Sequence, residues 1–168
     1  MDKFEKLFAE FPCTLTDELV KKNAADILAQ HTEENNNREV WMQCLHQIDL
    51  TTLNGEDTTA KVAKMAERVN DFDGNFPGVP NVAAMCVYPA LVETAKEVLT
   101  EPIGIAAVAA GFPASQTFIE VKVAEAAMAV AAGATEIDIV ISIGKFLEGN
   151  YQEVYDEISE IKAAIRDA

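Results

Sequence analysis

The chain has few of the residues that form disulfide frameworks and metal sites. Its 168 residues include three cysteines, Cys13, Cys44 and Cys86, and two histidines, His31 and His46. The cysteines are odd in number, lie far apart and form no CxxC pair, so neither a disulfide framework nor a zinc site is indicated. Neither histidine has a partner at the spacing that metal ligands require. We therefore expect no bound metal.

Lysine and arginine are also scarce: there are 13 of them against 28 aspartates and glutamates, which gives a formal net charge of −15. This balance argues against a nucleic-acid groove, because phosphate binding requires clustered basic side chains. No apolar run approaches the roughly 18 residues of a membrane span. The N-terminal segment MDKFEKLFAEF carries charges in its first turns, unlike a secretory signal. We expect a cytoplasmic protein that binds neither nucleic acid nor membrane.

The remaining composition, with 49% hydrophobic residues, is typical of a globular protein. A chain of this length suits one domain or part of a larger one. Residues 1–40 have a helical pattern and are predicted to form an N-terminal extension, in which Thr16 caps the second helix. The segment HTEENNNRE (31–39) is polar and rich in turn-forming residues, so it is predicted to be a linker.

Residues 41–168 have a pattern of alternating strands and helices. The predicted strands lie at about residues 45–51, 82–88, 103–110 and 136–141. Residues 57–59 offer N-caps for the helix after the first strand. Ser115 offers an N-cap for the helix after the third strand, and Gly133 ends the same helix. This alternation predicts a parallel sheet with right-handed crossovers. Two α/β architectures fit: an open doubly wound sheet, and the first half of a (β/α)8 barrel.

The alternation of side chains along the strands favours the barrel. Asp49 and Thr51 lie on one face of the first strand and Leu50 on the other. In the fourth strand Glu136 and Asp138 share a face, and the isoleucines between and after them lie opposite. Apolar faces suit contact with covering helices, and mixed polar faces suit a barrel interior that opens into a site. An open sheet covered on both sides would be apolar on both faces.

Three strand segments each carry one reactive side chain near the carboxyl end, where parallel α/β enzymes place their chemistry. They are LHQIDLTTLN (45–54) with Asp49, VAAMCVYP (82–89) with Cys86, and GATEIDIVI (133–141) with Asp138. Each side chain also has an ordinary structural interpretation. Asp49 can brace a loop, Cys86 can be a small buried apolar residue, and Asp138 can be a polar residue at a strand end.

Four motifs in order and at suitable spacing now identify a resemblance. They are DLTTLN (49–54), AAMCVYP (83–89), GFP (111–113) and GATEIDIVISIG followed by LEGN (133–150). With them the chain resembles the N-terminal half of the deoxyribose-phosphate aldolases, class I aldolases with a TIM-barrel fold. The resemblance covers about residues 44–167. The helical residues 1–40 lie outside the common barrel.

The resemblance implies reversible cleavage of 2-deoxy-D-ribose 5-phosphate to acetaldehyde and D-glyceraldehyde 3-phosphate. An essential lysine forms an imine that stabilises the carbanion, so no metal or other cofactor is implied. In the family, a second lysine lies near the imine-forming one. By position, Asp138 belongs to the proton relay, and Asp49 tunes this pair of lysines and helps to form the substrate-binding end of the site. Cys86 matches a cysteine that reacts with aldehyde in some members, and Thr51 lines the same pocket. The implied partners are the phosphorylated sugar and aldehyde substrates and further copies in a homo-oligomer.

The departure from the family is large. Its two lysines lie on the sixth and seventh strands, and its phosphate site follows the seventh and eighth, so residues 41–168 supply neither. Only Lys145 lies outside the predicted helices, in a loop after the fourth strand, and it is the first candidate if any lysine here forms an imine. We expect half of an enzyme, inactive alone. The alternatives are a non-catalytic half-barrel that self-associates and a flavodoxin-like binding module.

Overall fold

The computed structural model describes residues 3–166 and divides into two units, one ending at Cys44 and the other beginning at Leu45. The sequence pattern placed this division after residue 40. The first unit consists of helices α1 (Lys3–Glu10), α2 (Asp17–Asn35) and α3 (Arg38–Leu45). As predicted, Thr16 caps α2, because its hydroxyl accepts the backbone N–H of Leu19 at 3.2 Å.

The predicted linker at residues 31–39 is wrong, because only two residues separate α2 from α3. The polar side chains in this segment bond helix ends and do not form a loop. The amide of Asn37 donates to the carbonyl of Glu34 at 2.8 Å and accepts the N–H of Val40 at 3.1 Å. Asn37 thereby satisfies backbone groups at the end of one helix and at the start of the next.

The second unit alternates strands and helices, as predicted. Its elements are β1 (Asp49–Thr51), α4 (Thr59–Asn70), α5 (Phe72–Asn75), β2 (Ala84–Val87), a 3₁₀ turn (Pro89–Leu91), α6 (Val92–Val98), β3 (Gly104–Ala109), α7 (Ile119–Ala132), β4 (Glu136–Ile139), α8 (Ile143–Leu147) and α9 (Tyr151–Ile165). Each strand is shorter than predicted. The first begins at Asp49 because α3 runs to Leu45 and a turn follows, in which the N–H of Ile48 bonds the carbonyl of Leu45 at 3.1 Å. The short helices α5 and α8 were not predicted.

The four strands are parallel and stand in the order β1-β2-β3-β4. A flavodoxin-like sheet would have the order 2-1-3-4, with helices on both faces. The sequential order therefore rules out the flavodoxin-like alternative and agrees with consecutive units of a barrel. No helix among residues 3–166 is long and apolar enough to cross a membrane.

The main core lies on one face of the sheet only. Met85, Val87 and Ile105 are buried there against side chains of α4, α6 and α7. Full burial of a residue such as Val87 contributes about 1.5–3 kcal/mol to the free energy of unfolding. A second cluster, which includes Ile137 and Ile139, packs against α7 and α9. The helices thus leave the other face of the sheet open for a site.

In the second unit, the ends of the helices follow the predicted caps in two of three cases. Thr58 caps α4 by accepting the N–H of Lys61 at 3.2 Å, and Gly133 ends α7 with a φ of +115°. The third prediction is wrong. Ser115 does not cap α7, which begins at Ile119, because Ser115 lies in the preceding turn with its own N–H bonded to Gly111 at 2.8 Å.

Candidate active site

The open face of the sheet carries all four side chains that the sequence singled out. Asp49 and Thr51 come from β1, Cys86 from β2 and Asp138 from β4, and Glu136 joins them from β4. Thr51 is in register with Cys86, which is in register with Ala106 and, through it, with Glu136. Because side chains alternate along a strand, this register puts the residues on the face opposite the helices. We call this surface the acidic face.

The floor of the acidic face is made of small apolar side chains. Ala84, Ala106 and Val108 are buried beside Cys86, with Leu53, Tyr88 and Phe112 packed at the margin. The hydroxyl of Tyr88 donates to the carbonyl of Leu53 at 3.3 Å and ties the loop after β1 to the end of β2. The centre of the face is therefore apolar, and its two edge strands carry the carboxylates.

Cys86 and Asp138 meet across the intervening strand β3. The thiol of Cys86 donates to Oδ2 of Asp138 at 3.6 Å, which is possible because β3 presents only alanine and valine side chains between them. Burial, the negative charge of Asp138 and this hydrogen bond raise the pKa of the Cys86 thiol to about 11. At neutral pH the thiol is therefore protonated and acts as a hydrogen-bond donor.

Three carboxylates share the acidic face without a counter-ion. Burial, and then the charges of Asp49 and Asp138, raise the pKa of Glu136. In the part of the chain that the structure describes, no lysine, arginine or histidine forms a hydrogen bond or ion pair with any of the three. Nor do residues 3–166 contain a group of His, Cys, Asp and Glu that could hold a metal ion. The carboxylates of this face can accept and release protons, but no described residue places an amine nucleophile beside them.

The loop after β1 is held by a group of hydrogen bonds around Asp57 that the sequence analysis missed. Asp57 accepts the side chain of Lys61, the hydroxyl of Thr52 at 2.8 Å and the backbone N–H of Asn54 at 3.0 Å. The bond from Lys61 contributes most to lowering the pKa of Asp57. Within the DLTTLN motif, Thr52 and Asn54 therefore shape the loop, while Asp49 and Thr51 face the site. The hydroxyl of Thr51 donates to the carbonyl of Asp49 at 2.8 Å.

Lys145, the candidate imine-forming lysine, lies in α8 and is not on the acidic face. Its Nζ donates to Glu157 at 2.8 Å and pairs with Glu153 at 3.0 Å. These hydrogen bonds raise the pKa of Lys145. Imine formation requires the opposite shift, because only the neutral amine attacks a carbonyl. The structure therefore gives no support to Lys145 as the nucleophile.

A buried ion pair between α7 and α9 was also not predicted from the sequence. Lys122, on α7, is 1% exposed and donates to Ser142 at 2.6 Å and to Glu157 at 3.1 Å. Ser142 in turn donates to Glu157 at 2.6 Å. The signal was present in the sequence, since Glu157 lies at helical spacing between Val154 and Ile161 on the apolar stripe of α9.

Comparison with known proteins identifies the family. A family model described as DeoC/LacD family aldolase matches residues 44–167. The human deoxyribose-phosphate aldolase is 35% identical over 162 residues, which cover 89% of this chain and 51% of the human protein. The mouse deoxyribose-phosphate aldolase is 34% identical over the same length, with the same coverage of both chains. The chain belongs to the DeoC/LacD family of aldolases, and it spans about half the length of these relatives.

Solved structures agree with the fold. An aldolase designated QR15 superposes with a TM-score of 0.65 at 26% identity, covering 74% of this chain and 52% of that one. The deoxyribose-phosphate aldolase of Aeropyrum pernix, described as tetrameric, gives a TM-score of 0.61 at 24% identity, covering 84% and 56%. The predicted family resemblance and the partial TIM barrel are both confirmed.

Proposed function

We propose that this chain supplies one half of the active site of a Schiff-base deoxyribose-phosphate aldolase, and that it is inactive without a second half that carries the lysine. The observation that carries the proposal is the acidic face. It brings Asp49, Thr51, Cys86 and Asp138 together on the open side of the sheet, with no amino group from the described residues beside them. The reaction is the one that the family resemblance implies, cleavage of 2-deoxy-D-ribose 5-phosphate to acetaldehyde and D-glyceraldehyde 3-phosphate.

In this mechanism the lysine amine attacks the substrate carbonyl and forms an imine with loss of water. Once protonated, the imine accepts the electron pair of the breaking carbon–carbon bond, and the substrate hydroxyl loses its proton. Both steps require a group that gives and takes protons close to the imine carbon. Asp138 takes that role, because it lies at the end of β4 beside a protonated thiol. Asp49 supports it electrostatically from β1, and Thr51 and Cys86 line the pocket.

The second half is a run of βα units that continues the sheet from β1 and β4, the two strands with one unpaired edge each. Its inward face carries amino groups that offset the charges of Asp49, Glu136 and Asp138. We propose that the complete barrels assemble as homo-oligomers in the cytoplasm. A non-catalytic half-barrel that pairs with itself is the second candidate, and the same unpaired edges favour it.

Imine trapping tests the proposal. The chain is incubated with acetaldehyde and borohydride, alone and together with a polypeptide that comprises the remaining half of a relative. Peptide mass spectrometry then locates the reduced adduct, which is an ethyl group on lysine. With the chain alone we expect only a uniform low background over the exposed lysines. With both halves we expect one dominant adduct on the added polypeptide. In a separate assay without borohydride, we expect the paired halves to cleave 2-deoxyribose 5-phosphate.

Two variants of this chain test the role of Asp138 in cleavage by the paired halves. Asp138→Asn is expected to lower the cleavage rate of the paired halves by about a hundredfold or more, the usual contribution of a general acid–base. Asp73→Asn, which changes an exposed aspartate in α5, is the matched control and should have no effect. A dominant adduct on Lys145 or on another lysine of this chain would refute the proposal. Sedimentation of the chain alone as a closed dimer, with no pairing to the added half, would favour the self-associating alternative.

A further inference from the structure

A cleft of about 450 Å³ lies at the carboxyl ends of β3 and β4. It shares no residue with the acidic face. One wall is the loop between β3 and α7, including Ser115 and Gln116, and the other is α8 with Gly144 and Lys145. The two walls face each other closely. The amide nitrogen of Gln116 lies 3.7 Å from the position that a Cβ on Gly144 would occupy.

Ser115 is the unusual residue of this cleft. It lines the wall, is only 4% exposed, and its hydroxyl has no hydrogen-bond partner among the residues that the structure describes. Leaving a buried hydroxyl without a partner costs about 1–3 kcal/mol, so proteins satisfy nearly all such groups. In the described residues no other buried side-chain nitrogen or oxygen is left in this way. The hydroxyl of Ser115 is therefore available to a ligand.

The start of α7 lies directly after the residues that form this wall of the cleft. This helix has 14 residues, and the residue before it, Phe118, provides no side-chain cap. The backbone N–H groups of Ile119 and Glu120 have no acceptor within residues 3–166. An uncapped helix N-terminus with free N–H groups attracts a negatively charged oxygen. Gln116 and Phe118, immediately before the helix, both line the cleft.

The opposite wall adds a positive charge. Lys145 lines the cleft with a side chain that is 40% exposed, and it already pairs with Glu153 and Glu157. Glu148, at the rim, is the one carboxylate among the lining residues, and it already accepts the side-chain amide of Asn150 at 3.2 Å. Among the lining residues, the donors of Ser115 and Gln116 therefore face a single carboxylate, and that carboxylate already accepts a hydrogen bond.

From this convergence we propose that the cleft between the β3–α7 loop and α8 binds a small oxyanion, either a phosphate or a carboxylate group. Its oxygens accept hydrogen bonds from the hydroxyl of Ser115, the amide of Gln116 and the free N–H groups at the start of α7. Lys145 contributes its charge from the facing wall. This site is separate from the acidic face and does not depend on the aldolase activity.

Titration followed by ¹⁵N–¹H NMR tests the proposal on the chain as it is. Inorganic phosphate and acetate are added separately at constant ionic strength, with sodium chloride as the blank. We expect saturable shifts of the backbone N–H signals of residues 115–120 and 144–145, and stronger binding of whichever anion the cleft prefers. Ser115→Ala removes only an unpartnered hydroxyl and Gln116→Ala only an exposed amide, so both variants should fold. Each is expected to weaken binding about tenfold.

Ser159→Ala, at an exposed position of α9, is the matched control and should bind as the unchanged chain does. The proposal is overturned if neither anion gives saturable shifts in these residues, or if chloride gives the same shifts as phosphate and acetate. It is equally overturned if Ser115→Ala and Gln116→Ala bind with unchanged affinity. Saturation by phosphate alone assigns a phosphoryl ligand, and saturation by acetate alone a carboxylate.

Discussion

The thiol of Cys86 donates a hydrogen bond to the carboxylate of Asp138 although the two residues lie on strands that are not neighbours. Their side chains meet above Ala106 and Val108 of β3, at 3.6 Å between sulfur and oxygen. The bond links the two residues that the sequence motifs singled out on the second and fourth strands. The carboxylate also raises the pKa of Cys86, because its negative charge disfavours a thiolate.

The first prediction concerns the reactivity of the cysteines. Raising the pKa of Cys86 from 9.0 to about 11 lowers its thiolate fraction at pH 8 by on the order of a hundredfold. Cys13 and Cys44 are exposed. With iodoacetamide at pH 8 we expect Cys13 and Cys44 to be alkylated rapidly and Cys86 more than a hundredfold more slowly. Peptide mass spectrometry over time measures all three rates in one sample.

Substitution of Asp138 separates the effect of its charge on Cys86 from the effect of burial. Asp138→Asn removes the charge that opposes the thiolate, so the pKa of Cys86 falls and its alkylation at pH 8 becomes faster. Asp49→Asn is the matched control, because Asp49 raises the pKa of Cys86 less than Asp138 does. If both variants react at the rate of the unchanged chain, the link between Cys86 and Asp138 is contradicted and burial is left as the sole cause.

The second prediction is that Glu136→Gln stabilises the protein at neutral pH. The folded chain raises the pKa of Glu136, so the folded state binds more protons than the unfolded state between the ordinary pKa and the raised one. Stability therefore falls as the pH rises through that window. We expect the variant to gain less than about 1 kcal/mol at pH 7, as for other exposed charges, and to gain nothing at pH 4. Urea unfolding at both pH values measures the difference. A loss at pH 7 would show that Glu136 has a favourable partner.

The placement of the site residues on one face could be predicted from the sequence, and their contacts could not. Strand alternation puts Asp49 with Thr51, and Glu136 with Asp138, on the same side because the period of a strand is two residues. The bond between Cys86 and Asp138 depends on strand register and on small side chains in β3, which involve residues far apart in the chain. Local pattern carries no information about such pairs.

Helix ends and buried charges were missed for a related reason. The segment 31–39 is polar because its side chains bond the ends of α2 and α3, and composition alone does not distinguish a capped helix end from a loop. Lys122 lies on α7 and Glu157 on α9, and only the packing of these two helices brings the side chains together. Helical spacing places each residue on a buried face of its own helix, but it does not show that the two residues meet.

The third prediction concerns this buried pair. Glu157→Gln leaves the charge of Lys122 buried without its partner, and removing one member of a buried pair costs about 3–5 kcal/mol. Lys122→Met combined with Glu157→Leu removes both charges and should recover most of that loss. Lys64→Met, at an exposed position of α4, is the control and should change stability by no more than about 0.5 kcal/mol. Urea denaturation gives all three values. A double variant as unstable as the single one would contradict the pairing.

The fourth prediction is the pH dependence that the same residue causes. Burial alone would raise the pKa of Glu157, but the hydrogen bonds from Lys145, Ser142 and Lys122 outweigh it and lower the pKa from 4.5 to about 2. A carboxyl whose folded pKa is depressed contributes stability above its unfolded pKa and loses it as the pH falls towards the folded value. We expect the unchanged chain to lose stability between pH 4.5 and 2 more steeply than Glu157→Gln. Parallel acid-unfolding curves for the two proteins would count against this account.

The last prediction is that Gly133→Ala destabilises the protein. Gly133 has a φ of +115°, which a residue with a side chain rarely adopts, and an added Cβ would overlap the side chain of Lys96. We expect a loss of about 1–2 kcal/mol or more. Gly74→Ala is the control, because no atom lies within 4 Å of its added Cβ and its φ is ordinary. It should be neutral or slightly stabilising.

Combining Gly133→Ala with Lys96→Ala separates the two causes. If the collision with Lys96 dominates, shortening that side chain restores most of the lost stability, measured as the midpoint of urea unfolding against Lys96→Ala alone. If the backbone conformation dominates, the loss persists in the shortened background, since the left-handed φ remains. We expect the backbone conformation to cause most of the loss of stability, because the end of the Lys96 side chain can move aside. Gly133 cannot, since its N–H bonds the carbonyls of Ala129 and Val130 and holds the turn between α7 and β4. A Gly133→Ala variant as stable as the unchanged chain would show that this turn relaxes without cost.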